Sequence, residues 1–310
     1  MISKTKFQLS LLNKFEEKRY SEKTKHNYIR NLELLNDKKP FRNLAFLDDF
    51  EKIIGKLKHL KSTTIRNYYA SIVAVLSLYK TKFQLLKKYE SLLNNEQIKI
   101  DKSNSNITES QEKNWITPDD ITQKLDELSK KDLTNYDNIL YYLILSLYTK
   151  IPPRRNKDYL NMYIVSNLEN ISNDYNYFSI TDKLFVFNDY KTKHKYGCQK
   201  IDVPIELYDI IMKYLNVYSP MTKYFKNGLI DTNMKIYEPL LGGRSENYIT
   251  RILNKIFQKN VSSTILRHIY LSYKYPNGID SLNKLNEAEN DALKMGHSLR
   301  TAQLVYIKEV

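Results

Sequence analysis

A chain of 310 residues with 42% hydrophobic content is long enough for two ordinary domains, each burying its own core. Its 49 Lys and Arg against 35 Asp and Glu leave a formal charge of +14, which favours a polyanionic partner, nucleic acid before an acidic membrane surface. A single cysteine, Cys198, excludes an internal disulfide framework and suits a reducing intracellular compartment, and no apolar run is long enough for a signal peptide or a membrane span.

Residues 1–93 read as a helical domain. Residues 5–18 are periodic, and SEKTKHNYIRNLELLN opens with Ser21 as a helix cap. FLDDFEKIIGKLKHL supplies a third helix. KSTTIRNYYASIVAVLSLYKT starts behind Ser62 or Thr63 and places Ile65, Tyr69, Ile72 and Leu76 on one face. A short helix is expected near 82–93. The first hundred residues hold 21 Lys and Arg against 10 Asp and Glu, which is eleven of the fourteen surplus charges. Lys25, Arg30 and Arg66 are the candidate phosphate contacts there, although a basic run also reads as a solvated face.

Residues 94–114, NNEQIKIDKSNSNITESQEKN, are polar and read as an exposed linker. A second domain, 115–310, begins where Thr117 caps a helix with Pro118 at its first position. An apolar helix at 134–149 follows, then three strand-like runs, YLNMYIV, KLFVFND and QKIDVPI. Helices are expected near 205–216, 246–258, 263–274, 282–295 and 299–308. The fold class is therefore mainly α with a small antiparallel β-sheet: a helical domain followed by a mixed α+β domain.

Several chemistries lack their motifs. There is no phosphate-binding G-x-x-x-x-G-K-[ST] loop and no G-x-S-x-G elbow, and LLGGRSENY reads as a turn before a helix capped by Ser245. The five histidines show no metal-ligand spacing. An enzyme with this sequence is expected to work without metal, ATP or cofactor.

Four stretches of the second domain carry candidate chemistry. In KIPPRRNKDYLNM, two prolines end the apolar helix and present Arg154 and Arg155, with Asp158 spaced to orient the Arg155 guanidinium; the same residues also read as a surface ion pair. NDYKTKHKYGCQKIDVP puts Lys191, Lys193 and Lys195 in a turn between two strands, where a lysine can reach a ligand and protonate a leaving oxygen. In SSTILRHIYLSY, Thr264, Arg267 and His268 share a helix face while Leu266, Ile269 and Tyr270 pack inward. MGHSLRTAQLVYIKEV places His297 at a Gly-marked helix end and Tyr306 nine residues on. Leu299, Ala302 and Tyr306 also have the spacing of an apolar helix face, so Tyr306 reads equally as a core residue.

In this order the four stretches resemble the catalytic domain of the tyrosine recombinases, the phage-integrase-type family. That family carries Arg-x-x-Glu/Asp, a hairpin Lys, His-x-x-Arg followed by His, Gly-His/Trp, and a Tyr nine residues past that His. The matching positions are Arg155 with Asp158, Lys191, Arg267 with His268, His297, and Tyr306. SEKTKHNYIRNL and STTIRNYYASI are similar to the family's helical core-binding domain. PPRRN and YKTKHKYG look most like the integrases of virophages, giant DNA viruses and related self-synthesising transposons.

The resemblance implies a site-specific recombinase acting on double-stranded DNA, as a homotetramer with a dimer on each site, and located intracellularly at DNA. Tyr306 would attack a phosphodiester to give a 3′-phosphotyrosyl bond and a free 5′-hydroxyl. Arg155 and Arg267 would clamp the phosphate, with Arg154 competing for that place. His297 would donate a hydrogen bond to the phosphate and Lys191 would protonate the departing oxygen. Two departures stand out. Thr264 occupies the place of the family's first His, which leaves the general base unassigned, with His268 a candidate. Only IKEV follows Tyr306, too little for the helix that in many relatives docks into a neighbouring protomer. Type IB topoisomerase-like relaxation and a catalytically decayed DNA-binding protein are the alternative readings.

Overall fold

The computed structural model describes residues 4–103, 107–276 and 282–308. The chain divides into two compact units, Met1–Ser103 and Asn104–Val310.

The first unit is helical: α1 (Lys6–Glu17), α2 (Glu22–Leu35), α3 (Phe50–Leu57), α4 (Ser62–Leu76) and α5 (Phe83–Ser103). Thr5 closes a capping box with Gln8 on α1, and Ser21 caps α2. Leu11, Phe15, Ile29, Leu32, Ile72 and Val75 form the core, into which Tyr89 is buried with its hydroxyl donating to Leu47 O at 3.1 Å. The polar stretch 94–114, expected as a linker, contains the boundary between the two units and is largely helical. Residues 94–103 continue α5, and 109–114 form a further helix, while 104–106 lie outside the described residues. Side-chain pairing carries α5 onward: Lys99 meets Glu96 at 2.5 Å, and Gln97 accepts from Arg66 Nε at 2.6 Å and donates to Asp101 at 2.8 Å.

In the second unit α6 (Glu109–Asn114) leads to α7 (Pro118–Ser129), which Thr117 caps in a capping box, and to the apolar α8 (Tyr136–Leu147). Next come α9 (Asn156–Leu160), β1 (Met162–Val165), β2 (Asn176–Ser179), β3 (Leu184–Phe187), α10 (Lys193–Tyr196) and β4 (Gln199–Asp202). They are followed by α11 (Ile205–Val217), α12 (Ser219–Thr222), the short hairpin β5 (Phe225–Lys226) and β6 (Leu229–Ile230), and β7 (Tyr237–Pro239). The unit ends with α13 (Tyr248–Phe257), α14 (Ser263–Lys274), α15 (Leu282–Lys294) and α16 (Leu299–Thr301).

The main sheet has five strands in the order β4-β3-β2-β1-β7. It is antiparallel except for β1 and β2, where Met162 pairs with Asn176 and Val165 with Ser179. The fold is thus mainly helical with a small, mostly antiparallel sheet. β2 and β7 were not among the expected strands. All four residues of β2 are buried, so it lacks the alternation that marks a half-exposed strand.

One core joins the sheet to α8, α11, α13 and α14 through Leu143, Ile164, Phe178, Phe185, Ile211, Leu253 and Leu266. A separate cluster of Leu271, Tyr275, Ala288, Ala292, Met295, Ala302 and Tyr306 holds the C-terminal segment on α14 and α15. The helix expected at 299–308 differs: after α16, residues Ala302–Tyr306 form a π-helix, closed by Ile307 N donating to Ala302 O at 3.0 Å. Glu309 and Val310, half of the expected short tail, lie outside the described residues. Among the described residues, no helix is long and apolar enough to cross a membrane.

Candidate active site

α8 ends at Leu147, before the two prolines expected to end it, and the two arginines that follow Pro152 and Pro153 part company. Arg154 is fully buried. Its Nε meets Asp158 at 2.9 Å, its Nη1 donates to Gln199 Oε1 at 2.9 Å and to Lys294 O, and its guanidinium lies 3.7 Å from the Phe187 ring centre. One side chain therefore ties α9, β3, β4 and the end of α15 together. The expected Arg155–Asp158 pairing is corrected by this geometry: Asp158 lies one helical turn, four residues, past Arg154 and faces it across the buried side. Burial raises the Asp158 carboxyl above its ordinary range, against the pull of Arg154. Arg155, half-buried, caps α9 and donates through Nη1 to Gly296 O at 3.1 Å.

Gly296 is the corner on which these parts meet. α15 ends in a Schellman arrangement, with His297 N donating to Ala292 O and Gly296 N to Leu293 O, both at 2.9 Å. Gly296 has φ +70°, and a Cβ there would stand 3.2 Å from Arg154 Nη2 and 3.3 Å from Tyr190, so only glycine fits. Its carbonyl also accepts from Thr192 Oγ1 at 2.6 Å, which pins the β3–β4 connection beside the corner. Lys191 lies between two anchored neighbours, the buried Tyr190 and Thr192, yet is itself exposed. Its ammonium has no hydrogen-bond or ion-pair partner among the described residues. Lys193 and Lys195 are exposed on the same connection, Lys193 donating to Asn173 O at 2.9 Å and Lys195 lying over the Tyr196 ring.

Tyr306 is both of the things its spacing allowed. Its ring is 8% exposed and packed in the C-terminal cluster, and it is surrounded by the polar candidates. It stacks on His297 with ring centres 4.9 Å apart, tilts against His268 at 5.0 Å, and lies 4.5 Å from the Arg267 guanidinium carbon. Its carbonyl accepts from His268 Nδ1 at 3.1 Å and Ser272 Oγ at 3.3 Å, which fixes the backbone of the π turn. Arg267 donates through Nη2 to Met295 O at 3.2 Å. Thr264, one turn earlier, is exposed, and its hydroxyl has no partner among the described residues.

The electrostatics are those of cations held out of water. Burial lowers Arg267 to about 10, opposed by the Tyr306 phenol. Burial first, and then Arg267, lower His297 to about 3; burial lowers His268 to about 4. Both imidazoles are neutral at pH 7. Four buried polar atoms in this cluster have no hydrogen-bond partner among the described residues: Arg154 Nη2, Asp158 Oδ1, Arg267 Nε and His297 Nε2. Two of them, Arg154 Nη2 beside Gly296 and Arg267 Nε beside Tyr306, are donors, and buried guanidinium donors of this kind suit an anion. Among the described residues, no group of three or more His, Cys, Asp or Glu is placed to hold a metal ion.

The cluster thus brings together Arg155, Arg267, His268, His297 and Tyr306, with Lys191 on an anchored turn at its edge and Arg154 and Asp158 beneath it. Gln199, Tyr190, Thr192 and Ser272 belong to it but carry no motif, because each acts through a tertiary contact. In the first unit, Arg30 is exposed and Arg66 is held by Gln97. Lys25 is a correction: it is 3% exposed and its ammonium is taken by Glu16 and Glu22, so it is not available to a phosphate.

No protein-family model and no curated protein sequence matches the chain. Among solved structures, the chain is similar to that reported as the crystal structure of XerA recombinase, with 15% identity, a TM-score of 0.39, and coverage of 96% of this chain and 91% of that one.

Proposed function

We propose that the protein cleaves and rejoins DNA strands by transesterification, as a site-specific recombinase serving the integration or excision of a viral or mobile genome. The observation that carries this reading is the placing of a buried tyrosine against Arg267 and His297, whose Nε and Nε2 are both unpartnered, with Arg155 one carbonyl away. A phosphodiester seated there accepts from Arg267 and Arg155, which stabilises the charge that builds on its non-bridging oxygens. The Tyr306 hydroxyl attacks phosphorus, the P–O5′ bond breaks, and Lys191 supplies a proton to the departing oxygen. The bond energy is kept in a 3′-phosphotyrosyl ester, and the reverse attack by a 5′-hydroxyl rejoins the strand. Double-stranded DNA is the partner, bound by the exposed basic residues and organised by a tetramer of the chain.

The test is a nicked duplex incubated with the protein in EDTA. A covalent adduct retained in denaturing gels, and lost in Tyr306→Phe with DNA binding unchanged, is the expected result. Absence of an adduct across a pooled library of duplexes, alongside retained binding, makes the protein a DNA binder instead.

A further inference from the structure

The turn that carries Lys191 is fixed from both sides. Upstream of it, the Asn176 side chain is fully buried. Its Nδ2 donates to Asp158 O at 2.8 Å and to Asp189 O at 2.9 Å, and its Oδ1 accepts from Asn188 N at 2.8 Å and from Asp189 N at 2.7 Å. Carbonyls only accept and amide N–H groups only donate, so this network decides which way the carboxamide faces and fills all four of its positions. The end of β3 is thereby tied to α9. The Asp189 carboxylate adds to the tie, accepting from Asn161 Nδ2 at 2.8 Å and pairing with Lys157 at 3.3 Å.

The turn itself is closed by Lys193 N donating to Tyr190 O at 3.1 Å, with Lys191 and Thr192 as its central residues. Thr192 stands at the N-cap of α10, where a threonine oxygen ordinarily accepts from a helix N–H. It makes no such bond here. Its Oγ1 donates instead to Gly296 O at 2.6 Å, and Arg155 Nη1 donates to the same oxygen at 3.1 Å. One carbonyl thus sets the place of the turn and the place of the guanidinium relative to each other. Of the three lysines on this connection, Lys193 is committed to Asn173 O and Lys195 lies over the Tyr196 ring, while Lys191 sits beside the shared carbonyl's hydroxyl partner.

We propose that Thr192 is a positioning residue, whose hydroxyl, hung on the Gly296 carbonyl, keeps Lys191 within reach of the phosphate that Arg155 clamps. The inference rests on the strand-cleavage reading above and goes beyond it by naming what places the proton donor. A lysine ammonium ends a flexible four-carbon stem, so its aim depends on how firmly its own backbone is held. Proton transfer to O5′ requires heavy atoms at hydrogen-bond distance, and a displacement of about 1 Å at the turn is enough to lose roughly 100-fold in rate. Thr192 acts only through Lys191.

The experiment measures adduct formation by the full chain on nicked duplexes whose bridging 5′ atom is either oxygen or sulfur; a thiolate departs without a proton. Thr192→Val keeps the shape of the side chain and removes the hydroxyl, and Thr192→Ser keeps the hydroxyl. On oxygen, Thr192→Val should slow the adduct about 10–100-fold and Thr192→Ser should stay within about threefold of the wild type. On sulfur, Thr192→Val and Lys191→Ala should both return to within about threefold of the wild type. Adding Thr192→Val to Lys191→Ala should slow the oxygen substrate no further, because a residue that acts through the lysine has no effect in its absence. A Thr192→Val rate within about twofold of the wild type on oxygen, a loss that sulfur does not restore, an equal loss in Thr192→Ser, or a further loss in the double variant overturns the positioning role and leaves strand cleavage standing. A wild type that forms no adduct on either substrate overturns both.

Discussion

The two units treat positive charge in opposite ways. The first carries eleven of the chain's surplus charges within its first hundred residues, and its buried ammonium, Lys25, is answered by two glutamates. The second carries a surplus of three, yet it buries the guanidiniums of Arg154 and Arg267 and leaves Arg154 Nη2 and Arg267 Nε without a partner among the described residues. Exposed charge attracts a polyanion at long range and is screened by salt. A desolvated donor with no internal partner recognises one anion at one place, because leaving it empty is costly. Total charge therefore suggests the kind of partner, and unpaired buried charge the place where the proposed reaction would hold a phosphate.

The largest effect that could break this contrast is at Arg267. Arg267→Ala is expected to slow adduct formation by roughly 10²–10³-fold while DNA affinity by filter binding changes little. Cleavage near the wild-type rate would mean that the buried guanidinium serves the fold alone.

Arg154 and Arg155 separate stability from activity. Arg154→Ala strands Asp158 in the interior and should cost about 3–5 kcal/mol in urea unfolding. Arg155→Ala should leave the unfolding midpoint nearly unchanged and slow the adduct. Equal effects of the two substitutions on unfolding would collapse the distinction.

Acid should distinguish the units as well. His268 and His297 have folded values near 4 and 3, below the ordinary 6.5, so the unfolded chain takes up protons first as pH falls. Their contribution to stability is present above pH 6.5 and is lost on the way down toward pH 4, by about 1.4 kcal/mol per pH unit for each imidazole. Hydrogen exchange at pH 7 and pH 5 should therefore rise in residues 263–276 and 295–308 and not in 62–76. A uniform rise would assign the acid sensitivity to other groups.

The smallest effects are on DNA affinity. Arg30→Ala should weaken binding uniformly across sequences and reduce the slope of log K against log salt by about 1. Lys25→Met should leave that slope unaltered, and a matching reduction would show that its glutamate pairs open on binding.

The local rules in the sequence were enough for much of the fold. Ser21 and Thr117 cap the helices they were expected to cap, and the three expected strand-like runs contain the strands Met162–Val165, Leu184–Phe187 and Gln199–Asp202. Side-chain oxygens at helix starts and apolar periodicity act within a few residues, so they can be read from the chain alone. The stretches that would form the cluster were legible for the same reason: Arg-Arg after Pro-Pro, Arg-His on a helix, Gly-His at a helix end, and a tyrosine nine residues on. What tertiary structure decided was partnership. Asp158 faces Arg154 rather than Arg155, Lys25 is neutralised by Glu16 and Glu22, and the segment after Asn94 continues a helix because Arg66, Gln97 and Asp101 brace it. The π turn at Tyr306 depends on His268 and Ser272, 38 and 34 residues away in sequence. Hydrogen bonds and desolvation at that range depend on which surfaces the packed core brings together, and spacing along a chain carries no record of them.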